Sequence, residues 1–413
     1  MKMEKDIKAW TLPWTAENVP HATLDVIRGC DISCPACYNT AKPRHKPLDE
    51  IKLELDRLME LRVLDSLSVV GGEVALHPQL AEIVEEIKSR GLSVELFTNG
   101  LSLDAELAGK LAASGVDVAF LHIEPGQKRP DLPETATFDD CLALLRAKTN
   151  LLAEAGIEGG LSFTARDANE AAEYAWKALG IKGLYYILIT LHANVANYPE
   201  IRGNIASGMR AENASSAGDA AGKGGRASIR GMRDAFASRF GLAPFAAVPS
   251  NRDNREFRWL SYLVATVHRR DGSVKREGIT ASLAEKCFLK LHFALKKHYP
   301  FYSRQNPAAF KAQLLFNAFS GGGSRASSAF YASLSHGSET AAKRILCQRL
   351  AEVADDGSVV HCSNCPDAVL KNGELVPLCI SDKVVAAKNE PGGLDIDTDM
   401  SRADSNIAGN GKK

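Results

Sequence analysis

Thr23-Leu24-Asp25-Val26-Ile27-Arg28-Gly29-Cys30-Asp31-Ile32-Ser33-Cys34-Pro35-Ala36-Cys37 reads as a short β-strand running into a loop with three thiols. Cysteines this closely spaced can face one metal centre, and in α/β barrels the segment after a strand is where chemistry sits. β-rich and helical segments alternate from Thr23 to Leu191. Leu48, Ile51, Leu55 and Leu58 fall at helical spacing, Leu67–Val70 form a second strand ending at Gly71-Gly72, and Leu80, Ile83, Val84 and Ile87 mark a second helix. Further strands are predicted over Leu92–Thr98, Val116–Glu124, Ile157–Thr164 and Leu184–Leu191, with helices around Leu103–Leu111, Phe138–Leu152 and Ala168–Leu179. Six βα units with nearly continuous apolar strands predict an α/β fold with a parallel sheet wrapped by helices. Right-handed crossovers curl such a sheet into a partial (β/α)6 barrel.

The chain has 413 residues, enough for a catalytic domain and a smaller second unit. Fifty basic and fifty acidic side chains cancel. The balance points to no nucleic-acid or anionic-membrane partner and favours a small or apolar one. The N-terminus lacks the apolar core of a signal peptide, and no apolar run approaches the roughly 20 residues of a membrane span. The expectation is a cytoplasmic protein without a transmembrane segment. Nine cysteines in a reducing compartment favour metal ligation over disulfides.

Residues 1–22 read as an N-terminal extension, 23–191 as the barrel and 192–340 as a mixed α+β insert on the substrate side. The insert includes Gly203–Ser228, rich in Gly, Ala and Ser, which is expected to be a mobile loop or lid. Phe257–Val264 is strand-like, Leu283–His298 helical, and Trp259, Tyr262, Phe288 and Phe293 are assigned to core. Gly321-Gly322-Gly323-Ser324 is a second break. Residues 341–385 form a small cysteine domain whose first part, Ala341–Ala354, reads as helix; 386–413 read as a disordered tail.

Three cysteines can hold three irons of a [4Fe–4S] cluster and leave the fourth iron open, whereas an electron-transfer cluster normally has four cysteine ligands. Zinc with three thiolates and a water is the alternative, and spacing alone does not choose between them. The choice comes from two further motifs at strand ends. CxxxCxxC after the first strand, Gly71-Gly72-Glu73 after the second and Thr98-Asn99-Gly100 after the third resemble, in that order, the radical S-adenosylmethionine (radical SAM) superfamily. The resemblance covers Thr23 to about Leu191.

It implies that Cys30, Cys34 and Cys37 ligate three irons and that the fourth chelates the amino and carboxylate groups of the methionine of SAM. Gly71 and Gly72 would let backbone approach the methionine amine, with Glu73 supplying a carboxylate nearby; a helix cap is its plainer role. It also implies a reductant such as flavodoxin or ferredoxin and an unidentified substrate (a small molecule, a lipid or a peptide), since the cluster reductively cleaves SAM to a 5′-deoxyadenosyl radical that abstracts hydrogen. Where the family places an aromatic residue before the third cysteine this chain has Ala36, and Tyr38 follows instead as a candidate to stack on adenine. The fourth strand ends in Leu121-His122-Ile123-Glu124, so His122 and Glu124 share a face toward SAM, as does Thr164, beside Ser162, on strand five. Lys128-Arg129-Pro130-Asp131 reads as a solvated loop or a site for an anionic substrate, and His192, Asn194 and Asn197 as loop polarity near the barrel mouth.

The second group is Cys362, Cys365 and Cys379. Asn372-Gly373 between apolar pairs predicts a two-residue hairpin in which Lys371 faces Glu374, bringing Cys365 and Cys379 together at its open end beside Cys362. Cys347 stands before Gly357 and Cys362 at a spacing that resembles the SPASM and Twitch auxiliary-cluster domains of radical SAM maturases, which implies a fourth ligand and a second [4Fe–4S] cluster. His361 with the three cysteines would instead suit zinc, and a site left open at its fourth position is the third reading. A non-catalytic iron–sulfur or zinc-binding electron carrier is the rival class, and it gives Gly71-Gly72-Glu73 and Thr98-Asn99-Gly100 no use.

Overall fold

Apolar side chains recur at every second strand position and every third or fourth helix position, so each unit offers one face to a shared layer. The computed structural model describes residues 9–35, 37–39, 43–212, 227–319 and 323–385. Its first half comprises β1 (Trp10–Thr11), β2 (His21–Ile27), α1 (Leu48–Leu61), β3 (Ser66–Gly71), α2 (Leu80–Ser89) and β4 (Ser93–Thr98). Next come α3 (Ala105–Ser114), β5 (Val118–His122), α4 (Phe138–Glu154), β6 (Glu158–Ala165), α5 (Ala168–Ala178) and β7 (Leu184–Leu191). Asp104, Thr137 and Asp167 cap α3, α4 and α5 through side-chain oxygens, which fixes where those helices start.

β2 to β7 pair in parallel and in chain order, with registers such as Leu24 opposite Val69, Leu96 opposite Ala119 and Leu161 opposite Ile187. These are the six strands of the expected partial barrel. Leu24, Val69, Leu96, Leu121, Phe163 and Ile189 face the helices in one large apolar core. The opposite, concave face is polar and aromatic. His21 bonds Ser66 and Ser68, Ser68 donates to Glu95, and Phe97 stacks on Phe120 at 4.5 Å.

The second half contributes β8 (Ile201–Arg202), β9 (Arg210–Ala211), α6 (Ile229–Phe240), β10 (Ala246–Pro249), β11 (Phe257–His268), β12 (Val274–Ile279) and α7 (Leu283–Lys296). α8 (Pro307–Phe319), α9 (Gly323–Ser333), β13 (Glu339–Arg349), β14 (Glu352–Val353), β15 (Val359–Val360), β16 (Ala368–Lys371) and β17 (Glu374–Pro377) follow. The insert is continuous with the barrel sheet: β13 pairs in parallel with β7 and antiparallel with β11, which carries β12 and β10, and β10 in turn carries β1, giving eleven strands in all.

β13 corrects the helix expected over Ala341–Ala354. The apolar residues there satisfy helical spacing, but strands flank the segment on both sides and period-two burial wins, with Ile345 and Cys347 buried between the less buried Arg344, Leu346 and Gln348. The strand crosses the boundary drawn between Thr340 and Ala341. The Gly/Ala/Ser-rich stretch also begins with structure, since Arg210-Ala211 pair with Ile201-Arg202. Residues 213–226, the glycines at 321 and 322, the N-terminal eight residues and the tail from 386 lie outside the described residues. No described helix is long and apolar enough to cross a membrane.

Candidate active site at the barrel mouth

Just past β2 the chain bends into the cysteine loop, leaving Cys30 and Cys37 exposed and Cys34 half-buried. Neighbouring strand ends hold this loop by its backbone. Gly72 N–H donates to the carbonyl of Ile27 at 2.6 Å, and Glu73 N–H to that of Gly29 at 2.8 Å. A Cβ on Gly71 would lie 2.0 Å from the Ile27 carbonyl oxygen and one on Gly72 2.0 Å from that of Gly29. The two glycines are therefore required by the close passage of the β2 end over the β3 end, before any ligand is considered.

Glu73 is almost fully buried. One carboxylate oxygen accepts from Thr98 Oγ1 at 2.6 Å and from Ala75 N–H at 3.0 Å, the other from Asn99 N–H at 2.6 Å. Burial raises its pKa while these hydrogen bonds pull it down. Glu73 caps the short 3₁₀ turn Val74–Leu76, the plainer role, and also ties the β3 end to the β4 end. Asn99 continues the chain of contacts, its amide donating to Asp31 at 2.6 Å with Cys30 Sγ at 4.0 Å.

Residues that the sequence left in an ordinary loop complete the cradle. Gln127 donates to Cys34 Sγ at 3.3 Å and to the His122 carbonyl at 3.2 Å, while its own oxygen accepts from Glu124 N–H and Arg129. The Arg129 side chain is wholly buried. Its guanidinium pairs with Asp131 through two nitrogens and donates to the carbonyls of Asn99 and His122. This corrects the solvated-loop reading: Arg129 is a strut joining the ends of β4 and β5. The available signal was its place just after a barrel strand, where polar side chains turn inward.

His122 and Glu124 do share a face, with Nε2 and Oε2 4.0 Å apart. His122 bonds Ser162 at 3.1 Å, and the Glu124 carboxylate accepts from the Thr164 backbone N–H, so the pair bridges β5 and β6. The Tyr38 hydroxyl donates to the Gly71 carbonyl at 3.4 Å and lies beside Asp25, Arg28 and Asp382, which makes it a brace beneath the loop. Ala36 lies outside the described residues. His192 N–H donates to the Ala165 carbonyl, Asn194 precedes a short 3₁₀ turn and Asn197 is its last residue.

Burial pushes the Cys34 thiol up to about 12 against the Gln127 hydrogen bond, and raises that of Cys30. Ligation would replace those protons. Three thiols at one loop, two of them exposed, fit a [4Fe–4S] cluster with one open iron: of the other cysteines, Cys141 is in the core face of α4, Cys287 is on α7, and the rest belong to β13 or to the second group. Among the described residues no three His, Cys, Asp or Glu side chains converge as a single metal ion would require.

In the second group the hairpin is as expected. Lys371 pairs with Glu374, and Asn372 and Gly373 both take positive φ, 52° and 78°. The register runs on to a hydrogen bond from Leu378 N–H to the Asp367 carbonyl, after which a 3₁₀ helix over Leu378–Lys383 carries Cys379 out of the strand. Cys362, Cys365 and Cys379 still act on one another: a hydrogen bond with Cys362 together with burial raises Cys365, and burial pushes Cys379 up to about 12, with Cys362 adding to it. Cys347 takes no part. It faces the helix-side core with Ile345 and Tyr262, while its neighbour Leu346 faces Cys362 and Cys365, so alternation along β13 turns it away. His361 Nδ1 bonds the Cys362 carbonyl at 2.8 Å, and its buried Nε2 has no partner. Arg62 joins the group to the barrel, donating to the carbonyls of Cys365 at 2.8 Å and His21 at 2.7 Å.

Residues 24–157 match the family model described as radical SAM superfamily. The chain is 26% identical over 175 residues to the Fe-coproporphyrin III synthase of Methanosarcina barkeri, covering 40% of this chain and 42% of that protein. It is 31% identical over 108 residues to the PqqA peptide cyclase of Methylocella silvestris, covering 24% and 28%. Among solved structures, Streptococcus suis SuiB bound to precursor peptide SuiA aligns at 15% identity and a TM-score of 0.35, over 45% of this chain and 41% of that one. The chain thus spans less than half the length of these curated relatives. The cysteine loop, the glycine-rich end of β3 and the Thr98-Asn99-Gly100 end of β4 all lie inside the segment, residues 24–157, that matches the radical SAM superfamily.

Proposed function

We propose that this chain is a radical SAM enzyme: Cys30, Cys34 and Cys37 hold a [4Fe–4S] cluster whose open iron binds SAM, at the mouth of the partial barrel. The observation that carries the reading is the set of three thiols, without a fourth, on a loop held through backbone by the end of β3 and through the side chains of Asn99 and Gln127 by the ends of β4 and β5. When bound, the reduced cluster would supply an electron that cleaves SAM reductively to a 5′-deoxyadenosyl radical for hydrogen abstraction. The work of the protein is to position. Gly71 and Gly72 set the height of the cysteine loop over β3, Glu73 fixes Thr98 and Asn99 beside it, and Gln127 orients Cys34. Thr98, His122, Glu124 and Thr164 line the adjacent strand ends, toward the ribose and carboxylate of SAM. Tyr38 supports the loop from below.

Cys362, Cys365 and Cys379 supply a second site for an auxiliary [4Fe–4S] cluster; zinc, the alternative, would need these thiols and His361, whose buried Nε2 has no partner, to draw together. A flavodoxin- or ferredoxin-type reductant serves the first cluster. The substrate is a peptide or a small molecule, the two classes that the names of the matched proteins carry.

Anaerobic reconstitution tests the reading. With dithionite and SAM the protein should release 5′-deoxyadenosine, and Cys34→Ala should abolish the release. An intact cluster that yields none would reduce the chain to an electron carrier. Iron counted in a variant with Cys30, Cys34 and Cys37 all changed to alanine tests the second site: about four irons support a cluster, and one zinc with no iron replaces it.

A further inference from the structure

α7 is amphipathic in the reverse of the usual sense. Leu283, Leu291 and Leu295 recur at multiples of four residues, with Phe288 beside them, and such a stripe normally faces the core. Here it faces solvent: all four are exposed, Leu295 by 71%, while the one buried side chain among the described residues of the helix is Glu285. Phe288, assigned to core from the sequence, is therefore surface. Phe319 at the end of α8 is 86% exposed, and Tyr331 and Leu334 at the end of α9 are also exposed. Most of the large exposed apolar side chains of the described residues thus lie on three consecutive helices, a concentration that marks an interaction site.

The charge around this face is one-sided. Between Leu283 and Phe319 the sequence carries Lys286, Lys290, Lys296, Lys297, Arg304 and Lys311 against a single acid, Glu285. That acid is turned inward, accepting from Gln313 at 2.7 Å and Asn317 at 2.8 Å and closing the capping box of Ser282. A face of leucine and phenylalanine edged by lysine, on a chain of zero net charge, suits an interface that is apolar beneath and anionic above. A second copy of this chain would bring lysines against lysines across a two-fold contact, with no exposed carboxylate on α7 to meet them.

We infer that the exposed face of α7 seats the protein on an anionic lipid bilayer, with Leu283, Phe288, Leu291 and Leu295 in the acyl boundary and Lys290 and Lys296 among the headgroups; Lys286 instead lies over the Trp10 ring at 5.9 Å. This assignment is independent of the reading of the cysteine loop. Removing a lysine should weaken binding about fivefold at low salt.

Co-sedimentation of the full-length protein with vesicles tests it, using phosphatidylcholine alone and phosphatidylcholine mixed with phosphatidylglycerol. Binding is expected to the mixed vesicles, to fall as salt rises, and to be lost in Leu291→Glu/Leu295→Glu. Lys290→Glu/Lys296→Glu should weaken it at least tenfold with an unchanged circular dichroism spectrum, and decides the matter if the leucine variant fails to fold. No binding to phosphatidylglycerol vesicles at low salt would overturn the assignment, as would binding that neither variant weakens. Sedimentation velocity showing a dimer that Leu291→Glu/Leu295→Glu dissolves, with no vesicle binding, would overturn it in favour of a second copy.

Discussion

Glu73 holds three donors with two oxygens, in a site that excludes water. Glu73→Gln would present an amide N–H₂ to one of them, leaving a buried donor unmet, and should cost roughly 1–3 kcal/mol in urea denaturation. Gly72→Ala acts differently, since its Cβ collides with the Gly29 carbonyl one residue before Cys30. The expected outcome is a folded protein that retains less iron after reconstitution and desalting; wild-type iron content would show that the loop tolerates the shift. Burial, with Asp367 adding to it, pushes Glu95 up to about 8 from 4.5, so the folded state holds a proton there that the unfolded chain has released. That contribution to stability is full below about 4.5 and is lost as pH rises toward 8. Glu95→Gln should therefore melt higher than wild type at pH 8 and lose that advantage at pH 4, and an equal gain at both values would refute the assignment. That Cys30, Cys34 and Cys37 share one loop was legible because the three lie within eight residues. Gln127 and Arg129 were not, because their partners Cys34 and Asn99 lie 93 and 30 residues away.

At the scale of elements, β16–β17 and β13 differ in what determines them. The hairpin is set locally by Asn372-Gly373, and its register held through Lys371 and Glu374. β13 owes its state to partners distant in sequence, β7 and β11, which impose a strand on residues whose spacing also suits a helix. The consequence falls on Cys347. As a core residue and not a ligand, Cys347→Ala should cost about 1 kcal/mol and leave the iron content of the second site unchanged. Loss of iron in that variant would return Cys347 to the ligand set. α7 shows the reverse failure: its amphipathic pattern was legible as a helix, but which side would be covered depends on neighbours that the pattern does not specify.

Across the whole molecule the sheet is the common frame. Its six parallel strands were legible from alternation alone; its continuation through β13 into β11, β10 and β12 was not, because those pairings skip long stretches of chain. β2 relates the two cysteine groups, since the first loop leaves its C-terminal end while Arg62 fastens Cys365 to its first residue, His21. Arg62→Met would unfasten that link and leave both carbonyls short of a donor. It should lower stability by roughly 2–4 kcal/mol while the first site still takes up iron. Net charge misleads at this scale, because zero overall conceals the lysine-rich face of α7.

The open iron is the claim on which the rest depends. Electron–nuclear double resonance on the reduced, reconstituted full-length protein, with SAM isotopically labelled at its methionine nitrogen, tests it most directly. A hyperfine coupling from that nitrogen to the cluster is predicted in wild type. A reduced [4Fe–4S] signal that shows no such coupling and does not change when SAM is added would contradict it.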